Sequence, residues 1–219
     1  KVVYVSSTSV LGFSNDEKIK LTEKDNLEIE DSVYSQSKKL AEYEVQKYIA
    51  KGLNATTVIP CSVIGAGEVV PFVRDLIKSI SSQRIKFTFP GGTSFVAVDD
   101  LVDGMILAME KGKACQRYIF SSGYSRHKER YNIIAEILKK PKIRLELPKI
   151  SYYPMYLLAA ILQRISSKPA ITKAMIKGAY SYRIYDSSKA RKELGWKPKI
   201  TFDWAVRKAI KYYKKYDML

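Results

Sequence analysis

The sequence predicts an α/β protein: a parallel sheet covered by helices, followed by a smaller, mostly helical lobe. Three observations carry this reading. Val2-Val3-Tyr4-Val5 is apolar throughout, as a strand is when helices cover both faces of its sheet. Ala55-Thr56-Thr57-Val58-Ile59 is short and β-branched, and the stretch between the two leaves room for the helical crossover that parallel neighbours need. Residues 124–183 read as mostly helical.

In chain order, the first strand runs into Ser6-Ser7-Thr8-Ser9 and then Val10-Leu11-Gly12. Open α/β sheets bind ligands beyond the carboxyl ends of their strands, where Ser6 and Ser7 fall, while Thr8 or Ser9 can cap the turn. Residues 13–31 are polar and acidic and read as a loop. A helix opens at Tyr34 and runs to Gly52, a residue type suited to ending one. After the second strand comes Pro60-Cys61-Ser62-Val63, then a helix from Pro71 to Ser82 and a turn at Pro90-Gly91-Gly92. Phe95–Val98 is a strand, and Asp99-Asp100 starts a helix ending at Lys111-Gly112. The aspartates are read as an N-cap and dipole partner rather than as catalytic carboxylates. Arg117–Phe120 is a last short strand. Pro198 breaks the chain before an amphipathic helix from Phe202 to Tyr216, with Trp196, Phe202 and Trp204 as core anchors.

With 219 residues and 46% hydrophobic content, the chain can bury a substantial core. Cys61 and Cys115 lie in apolar, strand-like settings, which suggests core thiols in a reducing cytoplasm rather than a disulfide framework. One histidine, His127, without a Cys/His cluster argues against a zinc site. Asn54-Ala55-Thr56 fits a glycosylation sequon but enters a buried strand.

Charge is uneven. Residues 1–110 hold 12 Lys/Arg against 15 Asp/Glu, whereas residues 111–219 hold 26 against 7. The lysines are scattered along helices without a nucleic-acid motif, so a solvated basic surface is expected and nucleic acid is not. The chain begins Lys1-Val2-Val3, with neither an initiator methionine nor a leader. Its longest apolar run, Met155 to Leu162, is far short of a bilayer span. Flanked by Tyr152, Tyr153, Tyr156, Arg164 and Lys168, that run can make a weak membrane-surface contact; the simpler expectation is a helix packed on its own core.

The chemistry centres on Tyr34-Ser35-Gln36-Ser37-Lys38. Tyr34 and Lys38, four apart, share a helix face. An ammonium beside a phenol favours the phenolate, and a tyrosine so placed can exchange a proton at a carbon bearing oxygen. Tyr43, Tyr124 and Tyr185 also have a lysine four residues on, but none of them follows a strand and serine cluster like Val2–Val5 with Ser6-Ser7-Thr8-Ser9.

Val3-Tyr4-Val5-Ser6-Ser7, Leu11-Gly12 and Tyr34-Ser35-Gln36-Ser37-Lys38 with Ala41-Glu42 resemble the extended short-chain dehydrogenase/reductase superfamily. So do Val58-Ile59-Pro60, Gly65 and Phe95 to Leu101. Near the end the likeness resumes at Asp186-Ser187-Ser188-Lys189-Ala190, Glu193-Leu194-Gly195-Trp196 and Pro198. Within it the chain looks most like dihydroflavonol reductases, 3β-hydroxysteroid dehydrogenases and related sugar epimerases. The resemblance implies the C-terminal part of a Rossmann-like parallel sheet in residues 1–123, with lobe segments interleaved at about 64–94, and a substrate-binding lobe in 124–219. It implies NAD or NADP as cofactor, Tyr34 as acid/base, Lys38 as its charged neighbour and ribose contact, and Ser7 as the group orienting the substrate oxygen. Ser6, Pro60 and Val63 join Tyr34 and Lys38 at the cofactor; no metal is implied.

The activity so implied is interconversion of a secondary alcohol and a ketone, with a sugar or nucleotide-sugar epimerase or dehydratase as the alternative. Ile59 stands where nucleotide-sugar epimerases often carry arginine, which tilts the reading towards the former. No strand–glycine-rich turn–helix for the pyrophosphate occurs in the sequence; Gly65-Ala66-Gly67 and Gly91-Gly92 do not supply one. The chain thus reads as a fragment, a truncated frame or one part of a split protein. An apolar sheet edge is expected, to be covered by a homo-oligomer or an N-terminal polypeptide. A non-catalytic binding module is the reading from a different class.

Overall fold

The computed structural model describes residues 1–26, 32–67, 72–166 and 169–219. The order is β1 (Val2–Val5), α1 (Val33–Ala50), β2 (Ala55–Pro60), β3 (Ser62–Ile64), α2 (Phe72–Ser81), β4 (Phe87–Thr88), β5 (Gly92–Ala97) and α3 (Val98–Lys111). It continues with β6 (Arg117–Phe120), β7 (Gly123–Arg126), α4 (His127–Ile137), β8 (Leu145–Glu146), α5 (Tyr152–Ile165), α6 (Lys173–Tyr180), β9 (Tyr182–Arg183), α7 (Ser188–Leu194) and α8 (Phe202–Lys215).

The expected parallel sheet is present in the order β1-β2-β6. Val2 pairs with Ala55 and Val5 with Val58, while Thr57 pairs with Arg117 and Pro60 with Phe120. A second sheet joins β3, β5 and β7, with β9 alongside β5. Side chains alternate along a strand, and β1 shows the consequence. Val3 and Val5 pack with Met105 and Leu107 of α3, against Val58, Tyr118, Phe120 and Trp196. Gly104 makes this packing possible, because a Cβ there would lie 2.3 Å from the Phe120 ring. The last helices return to the first half, α7 against α3 and β6, and α8 against α4 and β3.

Gly52 ends the first helical segment as anticipated, at φ +100°, a backbone region open to glycine. Other expectations need correction. The turn at Pro90-Gly91-Gly92 ends a residue early: Gly92 already pairs with Arg126 and Tyr182, and Val98 belongs to α3. The expected start of the second helix, Pro71, lies outside the described residues. Asp99 and Asp100 do not cap α3, whose N-cap is Ala97; they occupy its first turn. Asp100 is buried and accepts the backbone N–H groups of Lys199 and Ile200, both at 3.0 Å. The carboxylate thereby secures the segment leading to α8, and Trp196 donates its indole N–H to the Asp100 carbonyl at 2.8 Å. Trp196 and Phe202 are buried, but Trp204 faces solvent. Cys61 is a core thiol, pushed up to about 12 by burial, whereas Cys115 is exposed in a turn with φ +63°. The segment after Gly12 is no free loop. Ser14 exchanges backbone hydrogen bonds with Tyr182, and Leu21 is bonded to Ile184 and Asp186. Its residues 27–31 lie outside the described set.

His127 is held neutral. Burial and the neighbouring Arg130 charge lower its pKa to about 4, outweighing a hydrogen bond with the Gly178 backbone. A folded-state pKa below the unfolded value of about 6.5 means that the unfolded chain binds the extra proton first. The stability associated with neutral His127 is therefore complete above about pH 6.5 and is lost as pH falls towards 4. Denaturant titrations between these values are expected to show a loss on the order of 3 kcal/mol that His127→Gln largely removes.

Candidate active site

The carboxyl ends of β1 and β2 set the site. Ser6 N–H donates to the Val58 carbonyl at 2.9 Å, and continuing that register places Ser7 across from Pro60. Tyr4 and Ser6 share the face of β1 opposite Val3 and Val5. That face looks towards α1. Tyr4's hydroxyl is held in its protonated form by burial first, then by the charge of Glu42 and by Tyr34, both on α1.

α1 begins at a serine cap: the Ser32 hydroxyl accepts the Ser35 N–H at 3.1 Å, satisfying one of the free donors of the first turn. Tyr34 lies in that turn with its side chain half exposed. One turn on, the Lys38 ammonium donates to the Val5 carbonyl at 3.3 Å, which fixes its charge at the end of β1. Ser7 caps the short 3-10 turn Thr8–Val10, accepting the Ser9 N–H at 3.2 Å. Its own hydroxyl proton is left for another acceptor. Ser6 is buried, and its hydroxyl has no hydrogen-bond partner among the described residues. Thus Ser6, Ser7, Lys38 and Pro60 come together, with Tyr34 one turn from Lys38. Val63 departs from the group; it sits in β3 of the second sheet, paired with Val96 and exposed.

A cavity of about 450 Å³ opens beyond the serine turn, lined by Phe13, Asn15, Lys149, Tyr152, Lys177 and Tyr180 among others. The loop that contributes Phe13 and Asn15 is secured at Glu17. Tyr124 donates to this carboxylate at 3.0 Å and Arg126 Nε at 2.8 Å, and the Arg126 bond holds the Glu17 carboxyl below its ordinary pKa.

Residues 1–133, which hold the two sheets' main strands and every residue of the strand-end cluster, match the NAD dependent epimerase/dehydratase family. The chain belongs to that family. Among curated proteins it is 27% identical over 190 residues to sterol demethylase protein B of Methylococcus capsulatus, covering 85% of this chain and 58% of that one. It is 24% identical over 226 residues to UDP-glucuronate 4-epimerase 4 of Arabidopsis thaliana, covering 98% and 48%. The chain therefore spans about half the length of the curated relatives it matches. The crystal structure of gox2253 superposes with a TM-score of 0.83 at 26% identity, covering 99% of this chain and 67% of that one. The α/β, Rossmann-like fold anticipated from the sequence is thus the fold of this epimerase/dehydratase family member.

Two residues that the sequence reading left without a role support the site. Glu42 is buried and pairs with Arg117 of β6, Oε2 to Nη2 at 3.0 Å. Arg117 also donates to the Glu23 carbonyl at 2.7 Å, and the Glu23 carboxylate accepts the Ile119 N–H at 3.0 Å. Glu42 was visible as part of the Ala41-Glu42 motif, but its partner lies 75 residues away and no local pattern announces it. Replacing Glu42 by Gln leaves the partly buried Arg117 guanidinium without its carboxylate partner. The expected cost is about 3 kcal/mol, seen as a lower urea midpoint with an unchanged far-ultraviolet spectrum.

Proposed function

We propose that this chain carries the acid/base and nicotinamide-side part of an NAD- or NADP-dependent epimerase/dehydratase acting on a sugar or nucleotide-sugar. The observation that carries the reading is the Lys38 ammonium held at 3.3 Å from the Val5 carbonyl, at the mouth of two parallel strands and one turn from an exposed Tyr34. The residues present fit the nicotinamide end of the cofactor. Lys38 spends one of three donors on Val5 and keeps two for ribose hydroxyls. Ser6 offers a buried hydroxyl without a partner among the described residues, and Pro60 closes the strand beside it. When bound, the nicotinamide supplies hydride acceptance and return.

The chain's own work is proton handling and orientation. Tyr34 takes the proton from a sugar hydroxyl as its carbon is oxidised and gives it back when the carbonyl is reduced. Lys38 places positive charge one turn away, at the end of β1 beside the reacting oxygen and the ribose. Ser7 donates its free hydroxyl proton to the same substrate oxygen, stabilising negative charge as it develops. The cavity beyond the serine turn offers tyrosine faces and two lysines, a lining suited to a ring carrying anionic substituents.

The simple alcohol–ketone reaction favoured by the sequence, in the manner of dihydroflavonol reductases, has less support than this reading. The family match and the likeness to a UDP-glucuronate 4-epimerase both favour transient oxidation of a sugar carbon.

The test begins with NADH and NADPH titrations read by nicotinamide fluorescence. Saturable binding, weakened about tenfold or more by Lys38→Ala, is expected; no binding at millimolar cofactor overturns the proposal for this chain. With UDP-sugars and cofactor, Tyr34→Phe is expected to lower interconversion about 10²–10⁴-fold, followed by NMR of the sugar, without weakening NADH binding. Unchanged turnover in Tyr34→Phe removes Tyr34 from the chemistry.

A further inference from the structure

We infer that the outer face of α5 docks the protein in the plane of a membrane bearing anionic headgroups. The helix packs on one side only. Ala159 is fully buried and forms a cluster with Ile176 and Tyr180 of α6, joined by Tyr152, Met155 and Tyr156. This is the core-packed helix that the sequence led one to expect, but it accounts for half of the helix surface.

A second, largely apolar face is open. Ile150 is 71% exposed, Tyr153 70%, Leu157 62%, Leu158 43%, Ile161 49% and Ile165 73%. At 3.6 residues per turn the five on α5 fall within an arc of about 140°. An amphipathic helix normally turns such an arc inward, so its outward direction calls for an occupant.

Charge names the occupant. From Leu147 to Tyr185 the chain contains no aspartate or glutamate, while Lys149, Arg164, Lys168, Lys173, Lys177 and Arg183 are all basic. Lys149, Arg164 and Lys173 are exposed, and Arg164 falls within the arc near its edge, between Tyr153 and Leu157. A second copy offering the same face would oppose like charges across the contact, whereas anionic headgroups neutralise them as the apolar side chains enter the acyl boundary. The geometry is that of lying on a bilayer rather than crossing it. No helix among the described residues is long and apolar enough to span, and the 14 residues of α5 cover about 21 Å against a hydrocarbon core of about 30 Å. Ile150 and Tyr153 also line the 450 Å³ cavity, so docking sets its rim against the headgroup layer.

Sedimentation of the protein with vesicles tests this without reference to any enzymatic activity. Binding to phosphatidylcholine vesicles containing phosphatidylglycerol is expected to exceed binding to phosphatidylcholine alone by about tenfold or more, and to fall with added salt. Leu157→Asp with Ile161→Asp, both at exposed positions, is expected to reduce binding at least about tenfold while leaving the melting curve unchanged. Lys173→Glu with Arg164→Glu is expected to abolish the preference for anionic lipid. Equal binding to both vesicle types, or none to either, overturns the proposal. So does a self-association in analytical ultracentrifugation that Leu157→Asp with Ile161→Asp abolishes while vesicle binding is absent.

Discussion

The ion pair between Glu42 and Arg117 holds the functional helix in place. α1 does not dock by an apolar stripe: its described buried residues are Ser35 and Glu42, while Leu40, Tyr43 and Tyr48 face solvent. Its position therefore depends on polar contacts. Glu42 reaches Arg117 on β6, Lys38 reaches the end of β1, and Ser32 closes the first turn. A buried charge pair is costly to desolvate, but once formed it is more costly to break than to keep. That asymmetry makes it a selective clamp. It lets Tyr34 remain exposed at the strand ends without a hydrophobic anchor beneath it, and the same arginine draws the Glu23 segment over the sheet.

What the sequence disclosed and what it withheld follow the range of the interactions concerned. β1, β2 and β6 were legible as short runs rich in apolar and β-branched residues, although β1 is only partly buried and Val2 is exposed. Tyr34 and Lys38 were legible because four residues make one helical turn. The roles of Asp100, Glu17 and Glu42 were not, since each carboxylate has a structural partner about 75 residues or more along the chain. Asp99-Asp100 looked like a cap because caps are local, yet the buried member of the pair serves backbone donors near the other end of the chain. Trp204 and Cys115 show the complementary failure. Both types are commonly buried, but Trp204 falls on the outer side of α8 and Cys115 in a turn at positive φ.

The two open apolar surfaces make different physical demands. Beside β1, Val2 on the strand and Val102, Ile106 and Met109 on α3 are exposed, and β1 pairs with one strand among the described residues. This is the uncovered edge that the sequence led one to expect. An edge strand presents directional donors and acceptors at fixed spacing, so only water or another extended backbone can satisfy it. α5 is different, because a helix satisfies its backbone internally and leaves only side chains to be matched. Its complement needs apolar depth and negative charge but no fixed hydrogen-bonding pattern. The stretch from Leu147 to Tyr185, which includes α5, holds no aspartate or glutamate, so the α5 face differs from the β1 edge in charge as well as in kind. The two surfaces therefore differ in the complement they call for: an extended backbone at β1, and apolar side chains beside negative charge at α5.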